Sequence, residues 1–335
     1  MPTIRDVAKL ANVSVATVSR YINQKGYISK EAEQRIKESI EELNYSPNVI
    51  ARGLAGQKTN SIALIVSEIS NPYFSMMARA VEDTATKLGY TTLLANSDRN
   101  SVKEKRYIEA LKKRYVDGII FATQMHATDE INELLGEDIP MVSIDRSTTE
   151  RVPDRIPAFQ VNHYKGAVLA TEHLLSIGCR KIAHISGTTD VIPARDRLNG
   201  FIDTLSQSGL YVPEYVVEGN FSIDSGYERT VELLTRYPEI DGIFATIDLI
   251  AIGSLKALLR LGKKVPDDVA LIGFDGIEMT AMTEPEISTI AQPIYEMGKQ
   301  AVYQLINQIE QRNLPTQRKP LEVELIQRAS TIRKR

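Results

Sequence analysis

The chain has 335 residues, 43% of them hydrophobic, with one cysteine and a net charge of -3. That length exceeds one average domain and suggests two or three. Cys179 alone excludes a disulfide framework, and His126, His163, His173 and His184 show no ligand spacing with it, so neither a metal nor a cofactor is expected. No stretch approaches the roughly 20 apolar residues of a membrane span, and no basic segment followed by an apolar run opens the chain. A protein of the reducing cytoplasm is expected.

Thr3 to Asn23, TIRDVAKLANVSVATVSRYIN, carries two short helical patterns joined by a tight turn. Thr3 and Asp6 have capping-box spacing, and Ile4, Val7, Ala8 and Ala11 recur at helical period. Ser14 supplies a second N-cap, after which Val15, Val18 and Ile22 form another apolar stripe. The pattern reads as a helix-turn-helix, whose second helix puts its N-terminal half into the DNA major groove. Arg20 can fork onto guanine O6 and N7, while Val15 and Ala16 are small enough to meet base edges or a thymine methyl. Ser14, Thr17, Ser19 and Asn23 suit phosphates, which fix register, and Thr3 at the first cap joins the DNA-facing set. On spacing alone, a plain helical hairpin with a solvated Arg20 stays open.

Residues 1 to 60 hold nine Lys/Arg against six Asp/Glu, whereas the rest holds 31 against 37, so the basic excess lies at the N-terminus. So small an excess gives modest nonspecific affinity, and tight binding needs two headpieces on one duplex. Ser29 to Leu43 is a third helix with Ala32, Ile36, Ile40 and Leu43 on one face and Glu38, Glu41 and Glu42 outward, away from phosphate. Pro47 then breaks the pattern. Asn48 to Leu54 can form one or two turns, too short to be stable in water without a partner.

From Ser61 the text alternates strand and helix. Strands are expected at 62 to 66, 91 to 95, 118 to 121 and 140 to 144, with helices at 72 to 88, 101 to 114 and near 128 to 135. A second series follows: helix 162 to 177, strand 181 to 186, helix 195 to 208, strand 216 to 219, helix 224 to 236, strand 242 to 246, helix 248 to 261 and strand 270 to 275. This is α/β text with parallel sheets. Ligands in such sheets bind beyond the carboxyl ends of strands, where Asp145, Arg146, Asp248 and Asp275 fall. For each carboxylate alone, an N-cap on the following helix is the commoner reading. Their convergence from two lobes, with Tyr73, Phe74 and Phe221 as aromatic faces, describes a pocket for a small polar ring.

The two N-terminal motifs, TIRDVAKLANVSVATVSRYIN and YSPNVIARGL at 45 to 54, together resemble those of the LacI/GalR family of bacterial transcription regulators. The likeness continues through ISNPYF at 69 to 74, VDGII at 116 to 120, ARDRLNGF at 194 to 201 and LIGFD at 271 to 275. The resemblance implies a helix-turn-helix headpiece at 1 to 45 and a hinge helix and linker at 46 to 60. It implies a bilobed core like periplasmic binding proteins, two doubly wound parallel sheets, with one lobe at 61 to 160 plus about 291 to 325 and the other at 161 to 290. Helix 294 to 310 and strand 321 to 325 are thus expected to return to the first lobe. In the family the hinge helix pairs with its dimer mate in the minor groove, where Leu54 matches the wedging leucine, with Ala51 and Arg52 beside it. Arg197 matches the family's effector-binding arginine.

The implied partners are a pseudo-palindromic double-stranded operator, a second copy of the chain and a small effector in the interlobe cleft. Purine-responsive relatives carry an aromatic residue at the position of Arg146, which tilts the effector toward a sugar; Arg146 and Arg197 also leave a sugar phosphate open. A phosphocarrier corepressor is a further alternative, although Gln304 stands where an arginine is associated with it. The chain ends at ASTIRKR with no apolar heptads, so a dimer is expected. Enzyme readings find no glycine-rich nucleotide loop and no spaced nucleophile, His and acid; two cleft carboxylates could mimic a glycosidase, but the headpiece argues against it. An exported sugar-binding protein would need a signal peptide.

Overall fold

The computed structural model describes residues 2–22, 26–45, 58–113, 116–123, 139–145, 156–188, 190–312 and 320–333. The chain divides into two compact units, Met1–Thr59 and Asn60–Arg335.

The first unit holds α1 (Ile4–Leu10), α2 (Val15–Ile22) and α3 (Lys30–Glu42). A capping box starts α1: the Thr3 N–H donates to Asp6 Oδ2 at 2.7 Å, and the Asp6 N–H donates to Thr3 Oγ1 at 3.4 Å. Asn12 turns the chain with φ of 50°, a left-handed conformation that asparagine tolerates. Ser29 caps α3 by accepting from the Ala32 N–H at 3.3 Å. Val7, Ala8, Ala11, Val18 and Ile36 form the shared core. Val15, placed both in the stripe with Val18 and Ile22 and among the members open to base edges, is 41% exposed. In so short a helix only Val18 reaches the centre, and Val15 is left facing outward. The expected hinge helix at 48 to 54 lies outside the described residues.

In the second unit, β1 (Ser61–Val66), α4 (Pro72–Lys87), β2 (Thr91–Asn96), α5 (Ser101–Lys113), β3 (Gly118–Ala122), β4 (Met141–Ile144) and β5 (Ala158–Phe159) build the first lobe. Its sheet runs β2-β1-β3-β4-β5, all parallel. Strand β1 shows why it reads as a continuous apolar run. Ile62, Leu64 and Val66 face one core with Met77 and Val81 of α4, while Ala63 and Ile65 face another with Ile108 and Leu111 of α5. The helix expected near 128 to 135 lies outside the described residues.

The second lobe comprises α6 (His163–Ser176), β6 (Ile182–Ser186), α7 (Ile192–Gln207), β7 (Val216–Glu218), α8 (Ile223–Arg236), β8 (Gly242–Ala245), α9 (Asp248–Arg260), β9 (Ala270–Asp275) and β10 (Ser288–Ala291). Helix α7 begins three residues before the expected start, since Pro193 is well suited to a first turn. Ala167 and Leu174 of α6 and Phe201 of α7 cover one sheet face; Leu233 of α8 and Ile250 and Leu258 of α9 cover the other.

Helix α10 (Ile294–Ile309) returns to the first lobe, where Met297, Ala301, Val302 and Leu305 join the core of Ile62, Leu64 and Val66. The last strand does not follow it. Expected at 321 to 325 in the first lobe, β11 (Glu324–Ile326) pairs antiparallel with β10, giving the second sheet the order β11-β10-β9-β8-β6-β7. Leu321 keeps a single bridge to Val161 on the way. The second sheet is therefore mixed, because a strand entering from the first lobe reaches β10 from the opposite end.

Candidate effector cleft and DNA-reading surface

On α2, Val15, Ala16 and Arg20 are exposed and Thr17 and Ser19 are half-buried. Ser14 Oγ accepts the Thr17 N–H at 3.1 Å and lies 2.8 Å from Thr17 Oγ1. Two hydroxyls share that contact, and one hydrogen stays available for an acceptor such as phosphate. The Thr3 hydroxyl instead donates to Asp6 Oδ2 at 2.7 Å, which makes it an element of the cap. Asn23, Ala51, Arg52 and Leu54 lie outside the described residues.

A cleft opens between the two lobes. From the first lobe it is lined by Ser67, Asn71, Tyr73, Phe74, Arg99, Thr123 and Asp145, which stand at or just after the carboxyl ends of strands or in the first turn of α4. From the second lobe come Arg197, Phe221, Ile247 and Asp275. Asp145 follows β4 and Asp275 ends β9, with φ of 58° and 126°, a region that residues other than glycine seldom occupy. Phe221 packs onto Gly187, where a Cβ would lie 2.1 Å from the ring. Its face meets the Arg99 guanidinium, 4.3 Å from the centroid, so this contact crosses from lobe to lobe. Arg99 also pairs with Glu68 at 3.1 Å.

The cleft floor is a continuous polar chain. The Tyr73 hydroxyl donates to Asp145 Oδ2 at 3.1 Å, and His163 Nε2 lies 2.5 Å from Asp145 Oδ1. Arg197 donates to His163 Nδ1 from Nε at 3.3 Å, to the Thr246 carbonyl from Nη1 at 2.6 Å, and pairs with Asp275 Oδ1 at 3.5 Å. Its guanidinium carbon lies over the Phe274 ring, 3.8 Å from the centroid. Gln292 completes the chain by donating to Asp275 Oδ1 at 2.8 Å. Burial works to raise the Asp145 carboxyl, yet the hydrogen bond from His163, aided by the Arg197 charge and the Tyr73 hydroxyl, holds it below the ordinary value. Burial dominates at Asp275 and raises it despite Arg197 and Gln292.

Asp248, expected among the lining residues, is fully buried and does not line the cleft. Its Oδ2 accepts the N–H groups of Gly276 and Ile277 at 2.7 and 2.9 Å, and its Oδ1 accepts from Thr289 Oγ1 at 2.7 Å. It braces the turn between β9 and β10, and burial together with neighbouring Asp275 raises its pKa. Arg146 lies outside the described residues. Ser67, Arg99 and Thr123 went unread, although they follow β1, β2 and β3 as Asp145 follows β4. Gln292 follows β10 in the same way, but that strand has no readable pattern in the sequence; His163 carries no such local signal. Among the described residues no group of His, Cys, Asp and Glu is arranged to hold a metal ion, and no helix is long and apolar enough to cross a membrane.

Two α/β lobes around a polar cleft, on a chain that also carries a helix-turn-helix unit, define a ligand-responsive DNA-binding regulator. Residues 3–48 match the model of bacterial regulatory proteins of the lacI family, and 171–331 match the periplasmic binding protein-like domain. The chain is 46% identical to the ribose operon repressor of Halalkalibacterium halodurans over 99% of this chain and 97% of that one. The structure of the lac repressor dimer bound to operator and the anti-inducer ONPF superposes with a TM-score of 0.87, at 26% identity and 99% coverage of both chains. A LacI family regulator from Enterococcus faecium with bound ribose gives 0.72 at 31% identity, covering 81% of this chain and 98% of that one. The protein belongs to the lacI family of bacterial regulatory proteins.

Proposed function

We propose that this chain is a cytoplasmic repressor that binds a pseudo-palindromic operator as a dimer and releases it when D-ribose fills the interlobe cleft. The observation that carries the choice of ligand is the cleft wall. Asp145 and Asp275 approach from opposite lobes, each carboxylate oxygen can accept two hydrogen bonds, and their present partners leave capacity for sugar hydroxyls. Phe74 and Phe221 offer apolar faces to the C–H side of a ring. Among the described lining residues both cations are already paired, Arg197 with Asp275 and Arg99 with Glu68, which favours a neutral sugar over its phosphate. The relative named a ribose operon repressor and the neighbour with bound ribose support the same sugar.

In this reading Arg20, Val15 and Ala16 read bases, Ser14, Thr17, Ser19 and Asn23 hold phosphates, and the Leu54 pair wedges the operator centre with Ala51 and Arg52 beside it. The sugar is bound and not turned over. Repression of sugar-use genes is useful only if the sugar lifts it, so ribose weakens operator binding, by ~5- to 150-fold for a coupling of ~1 to 3 kcal/mol. The test is calorimetric titration with D-ribose, ribose 5-phosphate and hypoxanthine. Anisotropy of a duplex selected from a random library is then measured with and without the sugar. Heat with the purine alone would overturn the sugar assignment, and operator affinity indifferent to a bound sugar would overturn the switch.

A further inference from the structure

We infer that His163 is a positioning residue: its imidazole bridges Asp145 of the first lobe and Arg197 of the second, setting both for the sugar and tying lobe to lobe. The inference rests on the sugar reading of the cleft. His163 is the first residue of α6, immediately after the chain has left β5 of the first lobe, and Asn162 fixes that start by accepting the Lys165 N–H at 2.8 Å. Its side chain is only 4% exposed and does not line the cleft, so it acts through the groups it touches.

The chemistry of its partners sets the proton. A guanidinium can only donate, and Arg197 points Nε and Nη2 at His163 Nδ1, at 3.3 and 3.2 Å. Nδ1 is therefore the bare acceptor, and the hydrogen on Nε2 is donated to Asp145 Oδ1 at 2.5 Å. One ring thus joins an anion and a cation that belong to different lobes. Phe274 supports both: it lies beneath the Arg197 guanidinium, and its centroid is 6.0 Å from that of the His163 ring. Asp145 moves with β4 and His163 with α6, so opening the lobes breaks their bond and leaves Asp145 without the partner that orients it. Closing the lobes assembles Tyr73, Asp145, His163, Arg197, Asp275 and Gln292 as one set.

The experiment uses the full-length protein, D-ribose and two variants of similar size. His163→Leu fills the space without hydrogen bonds, whereas His163→Gln keeps an N–H that reaches toward Asp145. Loss of the bridge should weaken ribose binding about 10- to 100-fold in H163L, and H163Q should recover most of that loss, with both variants melting near the parent. H163L binding ribose as well as H163Q would reduce the residue to packing and overturn the inference. Nitrogen-15 spectra of the sugar-free protein give an independent readout. They should show Nε2 protonated, Nδ1 bare and a slowly exchanging Nε2 proton that disappears in Asp145→Asn. A different tautomer or a fast-exchanging proton overturns the bridge whatever ribose does. A correct tautomer in a protein that binds no ribose keeps the bridge and refutes the choice of sugar.

Discussion

Replacing Arg197 by alanine tests the electrostatics of the cleft most directly. The side chain is 4% exposed and spans the floor, donating to His163 and the Thr246 carbonyl and pairing with Asp275, itself 6% exposed. Solvent screening is slight at such burial, and removing one partner of a buried pair costs about 3 to 5 kcal/mol because the other charge is stranded. Asp275 has an escape, since it can take up a proton. Burial already raises its pKa and Arg197 lowers it, so the substitution lifts it further. A carboxyl raised in the folded state contributes stability that is present below its unfolded pKa of about 3.9 and lost as pH rises through the folded value. The penalty of R197A should therefore be smaller at pH ~5 and grow as pH rises through the parent's folded value of about 7, by about 1.4 kcal/mol per pH unit for as long as the variant's carboxyl keeps its proton. Urea unfolding followed by circular dichroism at pH ~5 and pH ~8 measures it. A loss below about 1 kcal/mol at the higher pH, or a penalty that shrinks as pH rises, would refute the buried pair.

Three more substitutions separate the roles of the cleft wall, the β9–β10 turn and the recognition helix. Gly187→Ala would place a Cβ 2.1 Å from the Phe221 ring, so the ring must move; overpacking of this kind costs ~1 to 3 kcal/mol, so Tm should fall by several degrees and ribose affinity should drop with it, an unchanged affinity removing Phe221 from the site. Asp248→Ala leaves the N–H groups of Gly276 and Ile277 and the Thr289 hydroxyl without their acceptor; at ~1 to 3 kcal/mol for each buried group the core should lose several kcal/mol in urea, and a fully stable variant with ribose binding abolished would return Asp248 to the cleft. Arg20→Ala should weaken the selected operator by ~1 to 3 kcal/mol and relax sequence preference at one base pair, an equal loss on all sequences marking Arg20 as a phosphate contact.

What could be read from the chain follows the range of each interaction. The headpiece was legible because its caps close within three residues, Thr3 to Asp6 and Ser29 to Ala32, and its core repeats at helical period. Most sheet strands were legible because both faces are covered, which leaves runs such as IALIV. Strand β10 was invisible for the opposite reason. Two of its four residues, Ser288 and Thr289, are polar, and Ser288 is satisfied by Ser330 and Thr331 more than forty positions away. The strand at 321 to 325 could be read as a strand but not assigned to a lobe, since the pattern ELI suits either sheet. In the cleft, the rule that ligands meet the carboxyl ends of strands found Asp145 and Asp275. It also returned Asp248, whose fate is decided by two backbone N–H groups of a turn twenty-eight and twenty-nine residues on. His163 was passed over because its two partners lie 18 residues before it and 34 after it, on different lobes.

The interleaving of the lobes bears on how the protein is made. The first sheet lacks one covering helix until Ile309 has been synthesised, and the second lacks its edge strand and the buried Ser330 and Thr331 until Thr331 has been added. The unit Met1–Thr59, with its own core, needs none of this. At 5 to 20 residues per second, the headpiece can precede the completed core by roughly 15 to 55 s. A ribosome halted in that interval would hold a headpiece already able to fold, attached to a sensor that cannot yet answer to its effector.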